Sequence, residues 1–137
     1  MKNLFTVKDV SNLLGLTEHT IRYYTDKGLV PNVIRDKNNI RLFDEVSINW
    51  LKGIMHLKGT GMSIESIKEY VDLCLKGEST IQERYQIILD QKEIAERQLK
   101  EAKERVEYLQ NKAAHYLKIV NHTIADDTNP GNWNTEI

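Results

Sequence analysis

The chain has 137 residues, 40% of them hydrophobic and 28% charged, with a formal net charge of −1. That length supports one small core, or a small core plus an extended element. A single cysteine, Cys74, excludes an intrachain disulfide framework and a thiolate-rich metal cluster built from one chain, which fits a reducing compartment.

No apolar run approaches the roughly 18 residues of a membrane span, and the N-terminus lacks a signal-peptide core, so the expected location is cytoplasmic with no membrane partner. The near-neutral total conceals an asymmetry. Residues 1–62 hold nine Lys/Arg against six Asp/Glu, whereas residues 63–137 hold ten against fourteen. A basic front half is compatible with a local nucleic-acid patch, although the excess alone does not establish one.

In chain order, Thr6 and Asp9 have capping-box spacing, and Val7, Val10, Leu13 and Leu14 then fall on one face of a first helix ended by Gly15. Thr17 caps a second helix, with Leu16 and Ile21 at the two positions of a hydrophobic staple. Helix, short glycine turn, helix is a helix-turn-helix outline. On the second helix Ile21 and Tyr24 share the inner face; His19, Arg22, Tyr23 and Asp26 fall roughly opposite at 100° per residue.

After Gly28, the short runs Val33-Ile34 and Ile40-Leu42 flank the polar "RDKNN", and Asn38-Asn39 tolerate turn geometry, so a small hairpin or wing is expected. Asp44 caps a third helix to about Lys58, with Trp50, Leu51, Ile54 and Leu57 apolar; "GTGMS" interrupts it. Ser63 caps a fourth, with Ile64, Ile67, Val71 and Cys74 at 3-4 spacing, closed by Gly77.

The last segment is the most regular. After a capping box at Thr80 and Glu83, positions from Ile81 through Tyr85, Ile88, Leu99, Val106, Leu109 and Tyr116 to Val120 step by four and three, with Lys92 the only charge on the stripe. A helix of that length extends roughly 60 Å, too far to pack within one small globule, and its stripe requires a partner. The tail "NHTIADDTNPGNWNTEI" has no period and is expected to be flexible.

Arg35, Lys37 and Arg41 in the wing supply charge beside the helix-turn-helix, suiting a winged DNA-binding module. The order "TIRYYTDKGLVP", "RDKNNIRLFDEV", "LKGTGMSIESIKEY" resembles the MerR family of transcription regulators over residues 4–76, and the long helix agrees with the same family. The resemblance implies a mainly α fold: a winged helix-turn-helix domain with two linker helices over 1–77, an antiparallel coiled-coil dimerisation helix over 78–120, and a tail over 121–137.

By that resemblance the second helix enters the major groove, the wing contacts flanking backbone, and the DNA-contact positions fall on Thr17, His19, Thr20, Arg22, Tyr23, Arg35, Asn39 and Arg41. His19 and Thr20, near the helix N-terminus, are placed for base edges; Arg22 and Tyr23 are placed for phosphates. The chain departs from the family pattern at Thr25, where glutamate is frequent, and at Phe43, where tyrosine is.

The implied partners are double-stranded promoter DNA, a second copy of the chain and RNA polymerase, the dimer distorting an over-long promoter spacer on receiving a signal. No cofactor is implied. Metal-sensing members carry several cysteines around the dimer helix, and drug-sensing members a separate C-terminal domain. Small members responding to aldehydes and thiol-reactive stress resemble this chain best, but their reactive cysteine aligns with His56.

Cys74 and His56 are therefore the candidate effector-sensing residues. A small buried hydrophobe is the expected state of Cys74. His115, His122 and Trp133 read as surface. Two rival functions share parts of the pattern: an excisionase-like or architectural DNA-binding protein, and a protein-interaction dimer that does not bind DNA. An enzyme is disfavoured, because the sequence offers no nucleophile-base pair, paired carboxylates or phosphate-cradling glycine loop.

Overall fold

The computed structural model describes residues 3–129 together with Gly131. Five helices and one small sheet follow in the order β1 (Phe5–Thr6), α1 (Val7–Leu14), α2 (Glu18–Asp26), β2 (Ile34–Arg35), β3 (Arg41–Phe43), α3 (Glu45–Gly59), α4 (Ile64–Lys76) and α5 (Ile81–Val120). A single 3₁₀ turn, Glu78–Thr80, joins α4 to α5.

Local chemistry sets the starts of the first four helices. Thr6 accepts from the Asp9 amide while Asp9 accepts from the Thr6 amide, the reciprocal box expected from their spacing. Thr17, Asp44 and Ser63 each accept the third amide of α2, α3 and α4. Gly15 ends α1 at φ 68°, a left-handed conformation that glycine adopts without a Cβ penalty.

The wing hairpin forms, with a third strand that periodicity did not announce. β3 lies between β1 and β2, both antiparallel to it, with Phe5 opposite Phe43 and Arg35 opposite Arg41. Two-residue strands carry no readable alternation, so β1 exists only because the hairpin offers it an edge. The turn is fixed by Asp36, whose carboxylate accepts from the amides of Asn38 and Ile40, and Asn39 supplies the left-handed residue at φ 63°.

The core gathers Val7 and Val10 of α1, Ile21 and Tyr24 of α2, Leu29 and Val30 after it, Phe43, Leu51 and Ile54, Met62, and Ile67 and Val71 of α4. Leu13 departs from the expected pattern: it is exposed, because the eight residues of α1 bury only Val7 and Val10, with Leu14 half-buried.

Thr80 departs too. It is buried, and its hydroxyl lies 2.6 Å from the Leu73 carbonyl and 2.9 Å from that of Gly77, while Arg84 Nε donates to it at 3.0 Å. The residue expected to open α5 is thus a tie between the end of α4 and the start of α5.

By contacts the chain divides into two compact units, residues 1–92 and 93–137. In the second, α5 buries no residue, and Leu99, Val106, Leu109, Tyr116, Leu117 and Val120 stand exposed. Beyond α5, the Thr123 amide donates to the Lys118 carbonyl at 2.8 Å, and His115 Nε2 lies 2.5 Å from Asp127 Oδ1. His122 is exposed at φ 60°; Trp133 lies outside the described residues.

Thr80→Val would remove the hydroxyl and leave a buried carbonyl unsatisfied. The expected cost is about 1–3 kcal/mol. It should appear as a lower urea midpoint with unchanged slope, measured at one protein concentration.

Candidate nucleic-acid interface

The exposed face of α2 is created by what its other face buries. Ile21 is fully buried and Tyr24 nearly so, which turns His19, Arg22 and Tyr23 outward. Burial pushes the Tyr24 phenol up, and adjacent Tyr23 adds to the shift, so Tyr24 stays neutral in the core. Tyr23 is held by its neighbours: its ring centroid lies 6.1 Å from that of Tyr24, and the Lys27 ammonium stands 5.6 Å from it.

At the N-terminus of α2, Thr17 Oγ1 accepts from the Thr20 amide and donates to Thr20 Oγ1 at 2.8 Å. Thr17 is therefore occupied in capping. Thr20 keeps its own hydroxyl proton for an outside acceptor. Arg22 Nη2 donates to Glu18 Oε1 at 3.3 Å, an exposed pair that holds the guanidinium loosely.

The wing arginines sit directly across from one another on β2 and β3, a like-charge arrangement that the structure relieves by sending them to different partners. Arg35 Nη1 donates to the Asn39 carbonyl at 3.0 Å and so braces the turn. Arg41 reaches the end of α2, where Nη2 donates to Asp26 Oδ1 at 2.6 Å. Arg41 is only 15% exposed, and among the described residues its Nη1 is buried with no hydrogen-bond partner. From the sequence Arg41 was a solvent-facing wing cation; in the fold it is also a strut between wing and helix.

Between α2 and the wing lies a cleft of about 410 Å³. Arg22, Arg35, Asn39 and Arg41 line it, joined by Lys8 and Glu18. The fold thus unites four of the eight expected contact residues around one hollow. Thr17, His19, Thr20 and Tyr23 lie on α2 or at its cap without lining that hollow. Lys8 carried no sequence signal beyond being an exposed first-turn residue; only the wing's return beside α1 makes it a neighbour of three arginines.

The two effector candidates do not converge. His56 is exposed on α3, whereas Cys74 is half-buried on α4, lining an apolar cavity that His56 does not line. The expectation that Cys74 is a closed core position is corrected: α4 buries Ile67, Val71 and Leu73 more completely. Among the described residues no group of three or more His, Cys, Asp or Glu side chains could hold a metal ion, and no helix is long and apolar enough to cross a membrane.

The family model described as "MerR HTH family regulatory protein" matches residues 5–74. The chain belongs to the MerR HTH family. A Haemophilus influenzae protein, an uncharacterized HTH-type transcriptional regulator, is 33% identical over 114 residues, covering 83% of this chain and 84% of that one. The Bacillus subtilis HTH-type transcriptional regulator AdhR is 37% identical over 87 residues, which span 64% of this chain and 62% of AdhR.

Among solved structures, that of HiNmlR, described as a MerR family regulator lacking the sensor domain and bound to promoter DNA, superposes with a TM-score of 0.76. It is 32% identical, with 87% of this chain and 94% of that chain covered. The MerR match ends at residue 74, so it spans the wing, the cleft, α3 and all but the last two residues of α4.

A double-mutant cycle separates the two ion pairs of this surface. Asp26 with Arg41 should show a coupling of about 1 kcal/mol or more, because Arg41 is largely desolvated; Glu18 with Arg22 should give about 0.3–0.5 kcal/mol. Thermal melts of the four single and two double alanine variants measure both.

Proposed function

We propose that this chain is a homodimeric, sequence-specific DNA-binding transcription regulator that distorts promoter DNA in response to a signal. The observation that carries the reading is the cleft between α2 and the wing, where Lys8, Arg22, Arg35 and Arg41 converge within reach of one strand of backbone. In this reading α2 lies in the major groove. His19 and the Thr20 hydroxyl address base edges from its N-terminal turn, while Arg22 and Tyr23 meet phosphates.

Arg35 and Asn39 present the wing to the flanking backbone. Arg41 adds its charge to the edge of the cleft, and its bond to Asp26 keeps α2 and the wing in register. Thr17 acts through its cap, orienting the first turn of the helix.

The exposed 4-3 stripe of α5 supports an antiparallel coiled coil with a second copy. Two-fold symmetry then makes the target a pseudo-palindrome. We assign the functional divisions to residues 1–77, 78–120 and 121–137, place the protein in the cytoplasm, and take RNA polymerase at the distorted promoter as the further partner. Specificity rests partly on how readily the spacer deforms. The rival of a DNA-free interaction dimer gives no role to the excess of cations around the cleft, where Lys8, Arg22, Arg35 and Arg41 face the single carboxylate Glu18.

The test is binding to the protein's own upstream promoter across a salt series. Affinity should fall steeply with salt, and Arg22→Ala and Arg35→Ala should each weaken binding and lower the log-log slope by about one. Unchanged affinity in both variants would overturn the docking. A dimeric mass at micromolar concentration is expected; a monomeric one would overturn the coiled coil.

A further inference from the structure

A second hollow lies on the opposite side of the chemistry from the charged cleft. Helices α3 and α4 pack together but leave an apolar cavity of about 310 Å³ between them, with Val46, Asn49, Trp50 and Gly53 from α3 and Tyr70 and Cys74 from α4 in its wall. Gly53 is its most informative residue. A glycine inside a helix costs about 1 kcal/mol relative to alanine. Here packing does not demand it, because a Cβ at Gly53 would meet no atom within 4 Å.

Gly53 is exposed at the rim of the hollow, so a larger side chain there would project over its mouth. We infer that the cavity between α3 and α4 is the effector site of this regulator, and that its ligand is a small, uncharged, largely aromatic or aliphatic molecule.

The walls define that chemistry. Trp50 and Tyr70 supply aromatic surface, and Ile54, Leu57 and Val71 complete an aliphatic lining. Among the described residues no charged side chain lines the hollow. A carboxylate or ammonium entering it would lose its hydration with no counter-ion in return. The polar residues of the wall are Asn49, Tyr70 and Cys74, with Tyr70 and Cys74 hydrogen-bonded to each other, a set suited to orienting one carbonyl, nitro or ether oxygen.

Filling the space with solvent would place about ten waters, at ~30 Å³ each, against mostly apolar walls.

The location suits a signal. The turn of α4 that carries Val71 and Cys74 also carries Leu73, whose carbonyl meets the Thr80 hydroxyl at the entrance to α5. An occupant that spreads α3 from α4 therefore bears on the residue that ties α4 to α5. The word effector rests on the regulator reading above; ligand binding itself does not.

The experiment uses the full chain with Trp133→Phe, which leaves Trp50 as the reporter, and two probes: neutral 4-nitroanisole and its charged analogue 4-nitrobenzoate. Nitroanisole should quench Trp50 emission saturably, with half-saturation below about 1 mM. Nitrobenzoate should bind at least about tenfold more weakly. Gly53→Leu, which projects a side chain into open space and improves helix propensity, should leave the melting temperature intact and weaken nitroanisole at least about tenfold.

Quenching that does not saturate, or that Gly53→Leu leaves unchanged, would overturn the site. So would Trp50 emission that is blue-shifted and unquenchable in the dimer but restored on dilution, since a second copy would then fill the cavity. Promoter affinity is measured on the same samples: no DNA binding by the parent protein sinks the regulator reading, whatever the probe does.

Discussion

The burial of Phe43 is the constraint on which the reading head depends. Among the described residues it is the largest fully buried side chain, and it ends the wing strand β3 immediately before Asp44 caps α3. Across the sheet it faces Phe5, and β3 touches both α1 and α3. Fully burying such a ring contributes about 2–3 kcal/mol. That single anchor therefore fixes where the wing leaves the core, where the N-terminal strand pairs, and where the third helix starts.

From that anchor the charged surface follows by geometry. Two residues before Phe43, Arg41 points back to Asp26 at the end of α2, so the wing cannot drift from the helix without stranding a mostly buried guanidinium. Gly28 allows the chain to turn between them at φ 73°, and a Cβ there would come within 3.2 Å of Lys68 Cε. Lys8, Arg22 and the wing pair Arg35 and Arg41 thus face one cleft from three separate elements of the chain.

The two hollows of the N-terminal unit have opposite chemistry. The cleft beside the wing is edged by cations and suits a polyanion, whereas the α3–α4 cavity is lined by aromatic and aliphatic side chains and suits an uncharged guest. Val10, Ile21, Leu51, Ile54 and Ile67 belong to one core cluster, and Ile54 also lines the apolar cavity. A close-packed interior of this kind shifts between discrete arrangements instead of deforming smoothly. A change at one hollow thus has a physical route to the other.

The sequence by itself determined the starts of the first four helices and the end of the first, because Thr6, Thr17, Asp44 and Ser63 act on amides three residues away and Gly15 acts on its own backbone. It determined the inner and outer faces of α2, and the long apolar stripe of α5, because both are periodicities within one element. Tertiary structure alone decided the rest. The strand β1, the strut from Arg41 to Asp26, the recruitment of Lys8, the burial of Thr80 and the cavity over Gly53 each depend on segments distant along the chain meeting in space. Periodicity assigns a residue to a face of its own helix; only packing decides what that face meets.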